Sequence, residues 1–304
     1  MPFETLLITT DGSEPAEAAA RRGFDLAAQL EAAVHVLSVA DSSLATGAGY
    51  SGDSPHIRER LRNAANDRAT SLQREAAERG LDATAVIREG IPATQIADYA
   101  DEGEIDGIVI GTSGRGGVAR AVMGSVADKV VRTASVPVIT LNPAVVDAER
   151  EASPIDSVLL PTDGSAPAEA AATRGVELAA QLGATVHLLS VVDAEATEEL
   201  EELFDDAEAN DRPTARTDDP FEALVTEARN RGVDCVTVTR EGRPAEEIVD
   251  YATEARVGGI VMGTHGRGGI ERLIVGSVAD AVVRRAPVPV VTIRSENEPA
   301  TDPQ

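Results

Sequence analysis

Two glycine-rich segments set 152 residues apart hold the residue types best suited to chemistry in this sequence. Gly111-Thr112-Ser113-Gly114-Arg115 is followed, with nine residues between Gly114 and Gly124, by Gly124-Ser125-Val126. Gly263-Thr264-His265-Gly266-Arg267 is followed at the same distance by Gly276-Ser277-Val278. Without Cβ atoms, glycines let backbone N–H groups close around phosphate oxygens. Each Gly-Ser step reads as the opening of a helix, whose first amides and dipole favour an anion. The hydroxyl of Ser125 or Ser277 can donate to the same group, and Arg115 and Arg267 add positive charge. Two plainer readings compete. Ser125 with Asp128, and Ser277 with Asp280, fit a helix-capping pair, and the glycines alone fit a flexible turn. Identical spacing in both copies favours phosphate binding.

A second pair of segments supplies carboxylates. Asp11 lies in Thr10-Asp11-Gly12-Ser13 and Asp163 in Thr162-Asp163-Gly164-Ser165. Each follows a short apolar run, where a carboxylate can accept from ribose hydroxyls or base donors; capping the next helix is its alternative use. Val39 and Val191 end the next apolar run of each copy. Their small side chains suit either a purine face or plain core packing.

The elements that must position these residues recur with the same offset. Leu26-Ala27-Ala28-Gln29-Leu30 returns as Leu178-Ala179-Ala180-Gln181-Leu182, and Arg88-Glu89-Gly90 as Arg240-Glu241-Gly242. The chain is a duplicated domain with no net insertion, since each unit is far longer than a solenoid repeat. Its expected divisions are a first domain over 1–142, a linker over 143–154, a second domain over 155–295 and a disordered tail over 296–304. Within the first unit, short apolar runs at 6–8, 34–39, 83–87, 108–110 and 136–141 alternate with helical patterns at 13–31, 55–79, 92–100 and 125–134. Continuous rather than alternating apolar runs indicate strands covered on both faces, hence a parallel α/β sheet. Ligands of such sheets bind beyond the carboxyl ends of the strands.

Composition narrows the classes. The 304 residues hold 27 basic and 52 acidic side chains, for a net charge of −25. Nucleic acid and anionic membranes would be repelled, so neither is an expected partner. No apolar run is long enough to span a membrane, and Met1-Pro2-Phe3-Glu4 lacks a leader pattern, so the expected location is the cytoplasm. Acid excess with a single lysine, Lys129, points to a salt-rich cytoplasm, with a GC-rich genome as the plainer explanation. The acidic stretch from Asp193 to Asp219 reads as a solvated insert or, alternatively, a cation- or partner-binding segment. Cys235 reads as a small buried filler, and His35 and His187 as strand residues packed in a core. A P-loop needs Gly-Lys-Ser/Thr, and Lys129 follows Asp128 instead. A phosphatase Asp-x-Asp motif lacks its first aspartate, with Thr9 and Pro161 in that place.

With these residues in view, the sequence resembles the universal stress protein (UspA-type) family, in its ATP-binding branch, along nearly the whole chain. The resemblance rests on Gly111-x2-Gly114-x9-Gly124-Ser125, on Asp11, and on Val136-Pro137-Val138. It implies two tandem doubly wound, five-stranded parallel sheets, each of strand order 3-2-1-4-5. It implies adenine near Val39 and Ile110, and near Val191 and Met262, with Asp11 and Asp163 at the ribose or base. Phosphates would be held by Gly111, Gly114, Gly124, Ser125 and Val126, and by Gly263, Gly266, Gly276, Ser277 and Val278. ATP is the implied cofactor, with Mg or Mn as its optional companion. His265, where the first copy has Ser113, and Pro161, where it has Thr9, make the second domain the closer match. The family also pairs domains through the fifth strand, here the strands that begin at Val136 and Val288 and end at Leu141 and Ile293; a further homodimer is left open. No nucleophile–base pair recurs in both copies. The expectation is a nucleotide-responsive stress module; slow ATP hydrolysis or adenylate transfer, and a nucleotide-free scaffold, are the alternatives.

Overall fold

Leu6, Leu7 and Ile8 are all fully buried, which requires cover on both faces of the strand that carries them. The computed structural model describes residues 2–41, 55–114, 123–146, 154–193, 220–264 and 275–294. The first copy runs β1 (Thr5–Thr10), α1 (Glu14–Leu30), β2 (Ala33–Asp41), α2 (Pro55–Glu78), β3 (Ala83–Gly90), α3 (Pro92–Glu102), β4 (Gly107–Gly111), α4 (Ser125–Thr133) and β5 (Val138–Leu141). A short helix, α5 (Pro143–Val146), follows. The second copy repeats the plan as β6 (Ser157–Pro161), α6 (Ala166–Leu182), β7 (Thr185–Val192), α7 (Glu222–Asn230), β8 (Cys235–Glu241), α8 (Pro244–Glu254), β9 (Gly259–Gly263), α9 (Ser277–Arg285) and β10 (Val290–Ile293). The acidic stretch after Asp193 and the expected tail lie outside the described residues.

Helix starts follow local chemistry. Ser13 caps α1, its hydroxyl accepting from the Ala16 amide, with Pro15 in the first turn; Ser165 and Pro167 do the same for α6. Both helices stop at a left-handed residue, Glu31 in one and Gly183 in the other.

The expectation of two separate five-stranded sheets is corrected in one respect. All strands form a single ten-stranded sheet, ordered β3-β2-β1-β4-β5-β10-β9-β6-β7-β8. Each half keeps the order 3-2-1-4-5 with parallel pairs, and the halves meet where β5 and β10 pair antiparallel. The physical reason is edge satisfaction: β5 has a neighbour on one side only, and its other row of N–H and C=O groups needs a partner. The pairing is narrower than the sequence pattern, joining Val138, Ile139 and Thr140 to Thr292, Val291 and Val290. Pro137 precedes the strand, its carbonyl accepting from Ile108. Ile139 and Val291 stand opposite each other, so the local pairing maps onto itself under the 152-residue offset. The Thr140 hydroxyl donates to the Val290 carbonyl at 3.0 Å, and that of Thr292 to the Val138 carbonyl at 3.2 Å.

Side chains reinforce this seam. The Gln29 amide donates to the Ile155 carbonyl and accepts from its N–H, both at 2.8 Å. Gln181 does the same to Phe3, at 3.0 and 2.8 Å. Each copy thus grips the segment leading into the other's first strand. Asn142 is buried; its amide donates to the carbonyls of Val283 and Ala286, closing the end of α9. The segment expected to be a linker begins as α5, with Val145 buried. Two cores flank the sheet, one holding Leu6, Ile8 and Phe24, the other Leu7, Leu37 and Ile108. Both combine residues of the two copies.

Candidate functional site

The sheet brings β1 and β4 side by side, with Leu6 opposite Gly107 and Ile8 opposite Val109. Their carboxyl ends therefore deliver the aspartate turn and the glycine segment to one place. A cavity of about 420 Å³ opens there. Asp11, Val39, Ile110, Gly111, Gly114, Gly124, Ser125 and Val126 all line it. Arg115 and, in the second copy, His265, Gly266 and Arg267 lie outside the described residues.

The aspartate turn is fixed by its own residues. Oδ1 of Asp11 accepts from the Ser13 amide at 2.9 Å and the Ser13 hydroxyl at 2.6 Å. Gly12 sits at φ +79°, in the left-handed region, and its amide donates to the Thr10 hydroxyl. This holds the carboxylate against the glycine segment: a Cβ built on Gly114 would stand 2.9 Å from Asp11 Oδ2. In the second copy, Asp163 Oδ1 likewise accepts from Ser165 and Gly164 sits at φ +73°.

The glycine segment is pinned at both ends. Thr112 donates to the Leu141 carbonyl, and the Gly124 amide donates to the Thr112 carbonyl at 2.7 Å. Thr264 and Gly276 repeat this, with Gly276 donating to Thr264 at 2.8 Å. Gly124 is the N-cap of α4 and Gly276 that of α9, and neither helix has a side-chain cap bond. The capping-pair reading of Ser125 and Ser277 therefore fails. Both serines are exposed, one position inside their helices. Asp128 and Asp280 turn instead to Arg132 and Arg284, each at 2.8 Å. Since the first three amides of an α-helix have no intrahelical partner, α4 presents those of Ser125, Val126 and Ala127 at the cavity wall.

The second copy arranges its residues alike. Pro161 ends β6 and Asp163 follows; Val191 lies near the end of β7, half-buried; Met262 is buried in β9, which Gly263 ends; Ser277 and Val278 open α9. β6 and β9 pair as β1 and β4 do.

Several residues at the first cavity escaped sequence reasoning: Leu37, Asp41, Arg68, Pro92 and Ile96. Arg68 lies on α2 beside the buried stripe of Ala65, Ala69, Leu72 and Ala76. The available signal was a mismatch between copies, since Pro220 occupies its counterpart. Two further expectations change. Cys235 is only half-buried, on an edge strand, where burial raises its thiol pKa. His35 and His187 are not plain core residues: Nδ1 of each lies 2.8 Å from the hydroxyl of Tyr99 or Tyr251. Burial holds both imidazoles below their ordinary pKa, opposed at His35 by Asp82. Arg88 and Arg240 stack on those tyrosine rings, 5.1 and 4.9 Å from the centroids. Arg88 pairs in register with Val39, so this cluster adjoins the cavity.

The model of the universal stress protein family matches residues 2–142 and again 154–294. The chain belongs to the universal stress protein family. A universal stress protein of Mycobacterium tuberculosis is 32% identical over 238 residues, covering 74% of each chain. One from Methanocaldococcus jannaschii is 31% identical over 139 residues, 46% of this chain and 82% of that protein. The crystal structure of a universal stress protein from Archaeoglobus fulgidus superposes with a TM-score of 0.69 at 22% identity, covering 97% of this chain and 99% of that one. The last supports the tandem fold alone. No helix among the described residues is long and apolar enough to cross a membrane.

Proposed function

We propose that this family member binds an adenine nucleotide, ATP, at the carboxyl ends of the strands in each copy and acts as a nucleotide-responsive stress module. One observation carries the reading: an uncapped helix N-terminus and a fixed aspartate face each other across a cavity of about 420 Å³, a size within the usual range for small-ligand sites. Val39 and Ile110 form its apolar wall for the base. Asp11 is oriented to accept from ribose or base donors. The amides of Ser125 and Val126, at the positive end of the α4 dipole, receive the phosphates, and the Ser125 hydroxyl adds a donor. Asp163, Val191, Met262, Gly276, Ser277 and Val278 take these roles in the second copy; Gly266 and Arg267, outside the described residues, belong to the same proposed set.

Among the described residues no group of three or more His, Cys, Asp or Glu could hold a metal ion. A Mg or Mn ion is the optional companion of ATP in this reading. We read the charge of −25 as suited to a saline cytoplasm, where screening relieves self-repulsion. The test is to denature the purified protein and chromatograph the supernatant. Adenine nucleotide is expected there, or after preincubation with ATP and gel filtration; its absence from both would overturn the reading.

A further inference from the structure

The two copies repeat one design at the carboxyl ends of their strands, yet the first places an arginine of α2 at its cavity where the second has a proline at the matching position. Arg68 reaches from α2 across the aspartate turn: its Cδ and Nε lie 2.5 and 2.8 Å from where a Cβ on Gly12 would stand. The stem thus packs on bare backbone. Gly12 is tied to glycine twice over, by its positive φ and by this contact. Arg68 then lines the cavity beside Asp11 and Asp41, the one cationic side chain among its described lining residues.

The second copy departs at this point. Leu72 and Ala76 of α2 match Leu224 and Ala228 of α7, buried at equivalent places, so the offset of 152 holds along this helix. Carried back to Arg68 it falls on Pro220, an exposed turn residue before α7. Proline can neither reach the cleft nor donate. The first cleft carries two lining carboxylates in a strongly acidic chain, which oppose the entry of an anion. A guanidinium has five N–H donors in a rigid fork, enough to hold a carboxylate and a phosphate oxygen together.

Resting on the nucleotide reading above, we infer that Arg68 contacts a phosphate of the ligand in the first cleft, making that cleft selective for charged nucleotides over the nucleoside. The second copy, with Pro220 at the matching position, has no counterpart of this contact.

The experiment is photolabelling of the full chain with 8-azido-ATP and 8-azidoadenosine across a concentration series, with labelled peptides assigned to each half by mass. Arg68→Met retains an unbranched stem over Gly12 and removes the charge; Arg68→Gln guards against misfolding of the first variant. Apparent ATP affinity in the first half should fall about tenfold in both, as expected for a lost charge-assisted hydrogen bond. Adenosine affinity there should stay within about twofold, and the second half should not change. The fall in ATP affinity on raising salt should also become shallower in the first half. Equal losses for ATP and adenosine, or no loss for either, would overturn the assignment while leaving nucleotide binding intact. Failure of the unaltered chain to label with either probe would remove both readings.

Discussion

Replacing Gly114 with alanine perturbs the cleft without touching either core. The new Cβ would stand 2.9 Å from Asp11 Oδ2, whereas ordinary contact begins near 3.4 Å, so the carboxylate must retreat by roughly 0.5 Å. It cannot swing freely, because Oδ1 is anchored by the Ser13 amide and hydroxyl. Hydrogen bonds to a charged acceptor contribute about 1.5–3 kcal/mol, and straining this pair should cost about 1 kcal/mol. Stiffening the unfolded chain by Gly→Ala offsets about 0.4–1 kcal/mol of that, so net stability should hardly move. The methyl also narrows the gap between the aspartate turn and the glycine segment, where the ligand must lie. ATP affinity of the first half should fall about tenfold, or about 1.4 kcal/mol. Calorimetric titration gives the affinity, and thermal melting without ligand gives the stability. Unchanged affinity with an unchanged melt would refute the placement of the ligand between Asp11 and Gly114. A large loss of stability would instead mean that the turn supports the fold more than the site.

The seam makes two independent predictions. Gln29→Ala and Gln181→Ala each remove three hydrogen bonds to the other copy's backbone, and each should cost about 1–2 kcal/mol in urea unfolding; equal stability in the double variant would show that water replaces both clamps. His35 and His187 have lowered pKa values in the folded state, chiefly from burial. Their contribution to stability is complete above the unfolded value of about 6.5 and is lost as pH falls below it toward the folded values. Melting temperatures measured from pH 7.5 to 5 should therefore fall less steeply in the His35→Gln, His187→Gln double variant than in the parent, and parallel curves would contradict this.

The duplication, the strand–helix alternation and the two cleft segments were legible because each leaves a local mark. Leu6-Leu7-Ile8 announces a strand covered on both faces, and Ser13 with Pro15 announces the start of α1. What the residues alone did not mark was non-local. The strand order implied by the resemblance puts β3 and β8 at the sheet edges, but their own sequences, with exposed positions along them, resemble those of inner strands. The antiparallel register of β5 with β10 depends on two runs 152 residues apart, and nothing in Val138–Leu141 by itself sets it. Asn142 reads as a polar residue beside a linker, yet it is buried because the last carbonyls of α9 need donors. Arg68 looks like one more exposed helix arginine until the turn at Gly12 is placed beneath it. Ser125 matched a capping signature that the helix does not use, because Gly124 supplies the cap position and Asp128 pairs with Arg132.

The central claim is that bare helix amides receive the phosphates. Following backbone amide resonances of the isotopically labelled chain during an ATP titration tests it most directly. The largest shifts are expected at Ser125 and Val126 and at Ser277 and Val278, with adenosine moving them far less. Shifts confined to other regions, or equal responses to ATP and adenosine at these four amides, would contradict it.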